Sequence, residues 1–484
     1  MEPKQSKSIP SSERQPSHAT GLSSLAAAIR ARVKGAVYEP ADAGFAGEAA
    51  AFNTSVVHET DVVVAAASAD DVAETVRIAR ESGVKVSVQA TGHGAIAPLE
   101  GGILISTRAL QGVSVDPATR VATIAGGSPF APVVAAAAEH GLAPIGGSST
   151  TVGVVGYLVG GGLGPLARSH GFSSDYIEGM TVVTGTGEVL DVDADRHADL
   201  FWALRGGKSG LGIVTSLRLR LAELPALYGG SIYFDEPNIE QALRGWIDWT
   251  SASGAADGSG AADTSDPLMT TSIAIIKFPP LDVIPAPLRG RRLLALRVAY
   301  PGDVKEGERL TGALRALAPI HLDGARALPP TEIAKVHNDP AQPTPSWVRG
   351  LMMTHVDQDL ASVFLRNFGA GTDSPFIAAE VRHVAGATRQ DVAEGSAVGG
   401  RGAAFTLGLV GANPALFEKM PAAFAQLTED VRPWTAAETN INFMVRPTSP
   451  AHYATAWPGD TFARLAEVRR RYDPDGVFNP NAGY

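Results

Sequence analysis

The sequence predicts an α+β protein of more than one domain, and three observations carry that prediction. A chain of 484 residues is too long for one compact core, so two or three domains are expected. Between Asp61 and Gln89 a strand, a helix and a second strand follow one another as a βαβ unit. From about Leu224 the texture changes to long helices interspersed with strands, which reads as a mainly antiparallel sheet carrying helices.

Composition narrows the function classes. Hydrophobic residues make up 45% and charged residues 19%, as in an ordinary globular protein. The formal net charge is -10 with no Lys/Arg block, which argues against a nucleic-acid or anionic-membrane partner. The absence of Cys excludes disulfides, thiolate metal sites and a Cys nucleophile, and it suits a reducing cytoplasm, the expected location. No stretch reaches the ~18 apolar residues of a membrane span. Residues 1–20 are polar and rich in Ser and Pro, so a disordered tail is expected there.

Taken in order, Ser23 or Ser24 caps a short helix through Arg32, and DVVVAAA from Asp61 is a buried strand. ADDVAETVRIARESG has acids in its first turn, apolar residues at helical spacing and Gly83 as a stop. VKVSVQ is a strand that breaks into Thr91-Gly92-His93-Gly94. ILISTR and GVSVDPATRVATIAGG add strands, the second pair turning at Asp116-Pro117, before a helix from Ser128 to Glu139. MTVVTGTGEVLDVD is a hairpin, HADLFWALRGG a helix, and Ile213 to Leu221 a long alternating strand. Beyond Leu224, helices are expected over 239–250, 304–317, 357–367 and 414–431, and strands in TTSIAIIKF, RRLLALRVAY, IAAEVRHV and AFTLGLV. A low-complexity surface loop is expected over 252–266, a late strand in NINFMV, and a last helix over 461–471.

Two stretches carry the chemistry. His93 sits between two glycines at a strand end, sterically open, and a neutral imidazole there can bind metal, act as a base or bond to an electrophilic cofactor. GGSSTTVGVVGYLVGGGLG, residues 146–164, holds eight glycines among apolar side chains, the pattern of backbone packed closely on a phosphate-bearing ligand. Overlapping its end, Gly162 to Ala167 matches the dinucleotide pattern G-x-G-x-x-[GA]. No clean strand precedes the match and no βαβ unit follows it, so a nicotinamide Rossmann domain is not the preferred assignment.

Four motifs together, ADDVAETVRIARESGVKVSVQATGHG, VGVVGYLVGGGLG, DLFWALRGG with GLGIVT, and RLAEVRRRYDPDGVF, resemble the FAD-linked oxidoreductases of the vanillyl-alcohol oxidase (PCMH) type, in the berberine-bridge-enzyme-like branch. The resemblance implies a two-subdomain FAD-binding domain over 21–223, a central substrate-binding domain over 224–445 with an antiparallel sheet covered by helices, and a segment over 446–484 returning to the FAD domain. It implies FAD bonded through its 8α-methyl to His93. The slot of a second, cysteinyl bond holds Ser149, so single attachment is expected. Cofactor contacts are expected at Gln89, Ala90, Thr91, Gly92, Gly94, Ser149, Val152, Gly153, Gly156, Gly160, Gly161, Gly162, Gly164, Gly212, Ile213, Val214 and Asn442. Gln89 stands where the family carries an Arg, and Asn440 where many relatives carry a catalytic tyrosine.

The expected reaction moves hydride from an alcohol, sugar hydroxyl or amine carbon to flavin N5 and then to O2, giving hydrogen peroxide. Small Val152 at the family's oxygen-gating position favours an oxidase. A flavin dehydrogenase with another acceptor, or a non-catalytic flavin-bearing protein, are the alternatives. With the tyrosine absent, Glu380 is the first candidate base. Alternation places Arg382 on its face, where the pair could also be a surface ion pair. Asn440 and Tyr453 complete the catalytic candidates, with no metal expected. Trp457, His383 and His355 are further positions of interest.

Overall fold

The computed structural model describes residues 24–253, 266–444 and 449–478; the expected tail and most of the 252–266 loop lie outside the described residues. Strands β1 (Ala36–Tyr38), β2 (Val62–Ala65), β3 (Val86–Gln89) and β4 (Ile103–Ser106) form a first sheet in the order β1-β2-β4-β3. The helix Ala69–Glu81 joins β2 to β3; Ser68 caps it by accepting from the Asp71 N–H at 3.1 Å, and Gly83 ends it at φ 66°. Its face of Val72, Ala73, Val76 and Ala79 is buried on this sheet, each Val contributing about 1.5–3 kcal/mol. β4 runs parallel to both β2 and β3, so the expected βαβ unit closes around an inserted strand.

Next come β5 (Val113–Asp116), β6 (Val121–Ala125), β7 (Leu142–Ala143), β8 (Ile177–Val183), β9 (Val189–Val192), β10 (Ile213–Arg220) and β11 (Ala222–Glu223). Five of them make an antiparallel sheet in the order β5-β6-β10-β8-β9, and β7 pairs with β11. The rest of the chain supplies β12 (Leu227–Asp235), β13 (Thr270–Lys277), β14 (Arg292–Tyr300), β15 (Leu322–Asp323), β16 (Arg326–Leu328), β17 (Trp347–Met353), β18 (Ala378–His383) and β19 (Phe405–Gly411). These form an eight-stranded antiparallel sheet in the order β15-β12-β14-β13-β18-β19-β17, with β16 also on β12. Its cross-strand row Leu296, Ile273, Val381, Leu407 is buried under helices Ile239–Ser253 and Gln358–Phe368. Neighbouring positions in each strand point the other way, and there the row reads Arg297, Ser272, Arg382, Thr406.

Several expectations are corrected. Residues 440–444 of NINFMV form a turn and not a strand, because Asn440 Oδ1 accepts from the Asn442 N–H at 3.0 Å and closes an Asx turn. The helix expected over 414–431 splits into a 3-10 turn, Pro414–Lys419, and a helix, Met420–Asp430, since Pro421 fits only a first turn. The helix expected from Ser128 begins at Phe130 after Pro129; the Ser128 hydroxyl instead accepts from the Gly112 N–H at 3.2 Å. β12 and β17 were not anticipated. Gly229, Gly230 and Gly350 interrupt their apolar runs, whereas pairing on both sides of β12 and with β19 along the whole of β17 holds them extended.

Candidate active site

Strand β3 delivers the His93 loop to one wall of a cavity of about 510 Å³, within the roughly 300–1,000 Å³ typical of cofactor sites. Gly92 turns the chain at φ 74°, where a Cβ would press on Ala51 Cα at 2.6 Å. The His93 ring stacks on Phe52 with centroids 3.6 Å apart and planes at 17°. Its Nε2 lies 2.9 Å from Thr151 Oγ1, which lies 2.9 Å from Ser149 Oγ, so two hydroxyls orient the imidazole from the glycine-rich stretch. Burial pulls the His93 pKa down to about 4, only partly opposed by Asp339 and the Thr151 contact. At neutral pH the ring is therefore the free base, the nucleophilic form. Among the described residues no group of three or more His, Asp or Glu side chains gathers to hold a metal ion.

Gln89, Ala90, Thr91, Gly92, His93 and Gly94 all border the cavity, as do Val152, Gly153, Gly156, Gly212, Ile213, Val214 and Asn442. Gln89, which stands in place of an arginine, is buried and structural: its Oε1 accepts from His58 Nε2 at 3.0 Å and its Nε2 donates to Ala50 O at 3.0 Å. Arg108 braces the same loop, donating to Ala90 O at 3.0 Å and Gly47 O at 2.9 Å. Gly160, Gly161, Gly162 and Gly164 lie behind the wall instead of on it. A Cβ there would collide with Asn442, Asn440, the Tyr157 ring and Gly146 O respectively, so these glycines serve close packing. The stretch also holds the helix Val154–Leu158.

The wall contains groups that sequence reasoning missed. Lys208 projects from a turn at φ 62°, and its Nζ donates to Gly156 O and Asn442 Oδ1, both at 2.7 Å. Burial lowers its pKa to about 8. No carboxylate pairs with it among the described residues. His58 accepts from the Leu99 N–H at 3.1 Å and donates to Gln89, an arrangement that fixes its tautomer, and burial lowers its pKa. Tyr157 also borders the cavity, its pKa raised to about 12 by burial against the opposing pull of Arg382. The signal for Lys208 was in Arg205-Gly206-Gly207-Lys208, a cation where the glycine run continues.

The catalytic candidates do not border the cavity. Asn440 is fully buried, and its Nδ2 donates to Gly399 O at 3.3 Å. Tyr453 packs edge-on against Trp457 at 5.0 Å, and Trp457 Nε1 donates to Gly206 O at 3.0 Å, so both belong to an aromatic core. Glu380 is no surface pair: it accepts from Arg382 Nη2 at 3.1 Å and lies 3.6 Å from Arg297. Burial pushes its carboxyl up, but Arg382, Arg297 and His337 outweigh that and hold it well below the usual carboxylate range. A carboxylate so held is a weak base. His383 lies 2.7 Å from Arg168 Nη1, stacked on Phe405, and burial keeps it neutral; His355 is exposed beside Asp357.

The cavity fits a cofactor that carries negative charge. A Cβ at Gly94 or Gly156 would meet nothing within 4 Å, so both backbones face open space, and Lys208 brings an uncompensated cation to the same wall.

Residues 60–193 match the family model described as FAD binding domain. (R)-6-Hydroxynicotine oxidase of Paenarthrobacter nicotinovorans is 36% identical over 195 residues, which are 40% of this chain and 43% of that protein; the match thus spans less than half of the relative's length. Glucooligosaccharide oxidase from Acremonium strictum, in a structure concerned with its 6-S-cysteinyl, 8α-N1-histidyl FAD, superposes with TM-score 0.78 at 18% identity over 95% of this chain and 98% of that one. A berberine-bridge-enzyme-like protein of Physcomitrella patens superposes with TM-score 0.77 at 17% identity over 95% and 99%. At such identities the superpositions show a shared fold. The chain thus carries an FAD binding domain over residues 60–193, and over nearly its whole length its fold is similar to that of these two proteins.

Proposed function

We propose that the protein is an FAD-dependent oxidase that takes hydride from an alcohol, sugar hydroxyl or amine carbon of a small molecule and passes the electrons to O2, giving hydrogen peroxide. The observation that carries this is a neutral, stacked imidazole at His93 on the wall of a cofactor-sized cavity in the FAD-binding domain. When bound, FAD supplies the two-electron acceptor. His93 attaches it through the 8α-methyl, and Ser149 in the cysteinyl slot leaves that bond single. Thr151 and Ser149 hold the imidazole in place, Gly94 and Gly156 let backbone approach, and Lys208 offers the positive charge. Val152 is on the wall, and its small side chain at the family's oxygen-gating position supports access of O2. The names of the relatives, oxidases of hydroxynicotine and of glucooligosaccharides, support an oxidase. In this assignment residues 21–223 with 446–484 bind FAD, and 224–445 meet the substrate.

Acid precipitation tests the attachment: wild-type protein should give a yellow pellet, and His93→Ala a colourless pellet with the flavin in the supernatant. Reoxidation of photoreduced protein by air should finish in seconds; reoxidation over many minutes rejects the oxidase assignment.

A further inference from the structure

The polar face of the eight-stranded sheet holds two buried guanidiniums against one carboxylate. Arg297 on β14, Ser272 on β13 and Arg382 on β18 are successive cross-strand partners, so their side chains leave the same face. Glu380 accepts from Arg382 Nε at 3.3 Å and Nη2 at 3.1 Å. Its second oxygen is 3.6 Å from Arg297 Nη1, too far for a hydrogen bond.

His337 completes the group. Its Nε2 lies 3.0 Å from Arg382 Nη2 and 3.4 Å from Glu380 Oε1, so the ring sits against both members of the pair. Arg297 Nε and Nη1 and His337 Nδ1 are buried, and among the described residues none has a hydrogen-bond partner. Arg297, Arg382 and His337 are each 8% exposed.

The niche is open at its Glu380 edge. The Glu380 side chain keeps 22% of its surface exposed, and Gly408, its partner on β19, would place a Cβ in open space. It also adjoins the cofactor cavity, since Arg382 Nη1 donates at 3.2 Å to the carbonyl of Leu163, a residue of the cavity wall. The nearby carboxylate of Asp339 is committed to Ser148 Oγ at 2.5 Å on the exposed side.

We infer that this niche binds a carboxylate carried by the substrate, with Arg297 pairing the anion and Glu380 positioning Arg382. The oxidisable carbon then lies toward the cavity, and the substrates are organic acids. The two unpartnered donors of Arg297, on a guanidinium in excess over the one carboxylate, match two carboxylate oxygens, whereas a neutral hydroxyl would leave the charge unpaired. The inference rests on the oxidase assignment above.

The test uses the yellow holoenzyme, titrated with benzoate against benzamide and with hexanoate against hexanamide near neutral pH, where both acids are ionised. The visible flavin band and the melting temperature are read. Each carboxylate should bind at least about tenfold more tightly than its amide. Arg297→Gln should abolish that preference and Arg297→Lys should retain part of it, both with an unchanged flavin content. Carboxylates that bind no better than amides, or a preference that survives Arg297→Gln, overturn the inference while leaving FAD binding intact. A colourless protein overturns the oxidase assignment and the inference with it.

Discussion

Lys208 shows how one side chain records what a cavity is built to hold. Its ammonium is taken from water without a carboxylate in exchange, and burial brings its pKa to about 8. Folded apoprotein therefore binds fewer protons than unfolded chain between about pH 8 and the ordinary lysine value of ~10.4, and over that window its stability rises with pH. An anion in the cavity reverses the preference by favouring the charged form. FAD uptake by apoprotein should accordingly slow as pH rises through about 8, followed as the growth of flavin absorbance in the acid-precipitated pellet. Lys208→Arg, charged at every accessible pH, should flatten the profile, and Lys208→Met should slow uptake about tenfold below pH 8. A flat profile in the wild type contradicts the role. His93 was legible in the sequence because flanking glycines mark an exposed imidazole. Lys208 was not, because its importance lies in contacts with Gly156 and Asn442, distant in the chain.

At the scale of elements, one carboxylate ties the first sheet to its helix. Asp71, in the first turn of Ala69–Glu81, is buried and accepts the N–H groups of Lys34, Gly35 and Ala67, each at 2.9 Å. Asp71→Ala leaves three donors unmet and should cost about 3 kcal/mol or more, read as a lower urea midpoint at unchanged slope. Asp71→Asn keeps one acceptor oxygen and should lose less. The helix and its stop at Gly83 were visible in the sequence, as acids ahead of an apolar period closed by a glycine. The carboxylate's second task was not, since Lys34 and Gly35 are brought to it by β1 pairing with β2. NINFMV failed for the converse reason: its alternation suits a strand, yet a local side-chain bond from Asn440 captures the backbone first.

The whole molecule is closed by its C-terminal segment. The Val86 N–H donates to Val477 O at 2.9 Å, Asp473 accepts from the N–H groups of Val477 and Phe478, and Arg469 reaches back to Gly207 O and Ser209 O at 3.0 Å. Phe478 lies both in the first sheet's core and on the cavity wall. Removing residues 476–484 should therefore abolish FAD retention while leaving most far-UV circular dichroism. Retention of a yellow pellet by the truncated chain would show that the cavity does not need this closure. Among the described residues no helix is long and apolar enough to cross a membrane.

Period and punctuation in the sequence determined the helices, most strands and the glycine-framed His93, while the resemblance implied the return of the chain end. These depend on neighbours along the chain or on motifs carried whole. Tertiary structure alone decided that Glu380 is clamped between Arg382 and Arg297, that Asn440 closes a turn, and that Gly160 to Gly164 pack behind the wall. Each of those outcomes turns on the charge or bulk of residues far away in sequence. A carboxylate's basicity, and a glycine's purpose, are set by what folding puts beside them.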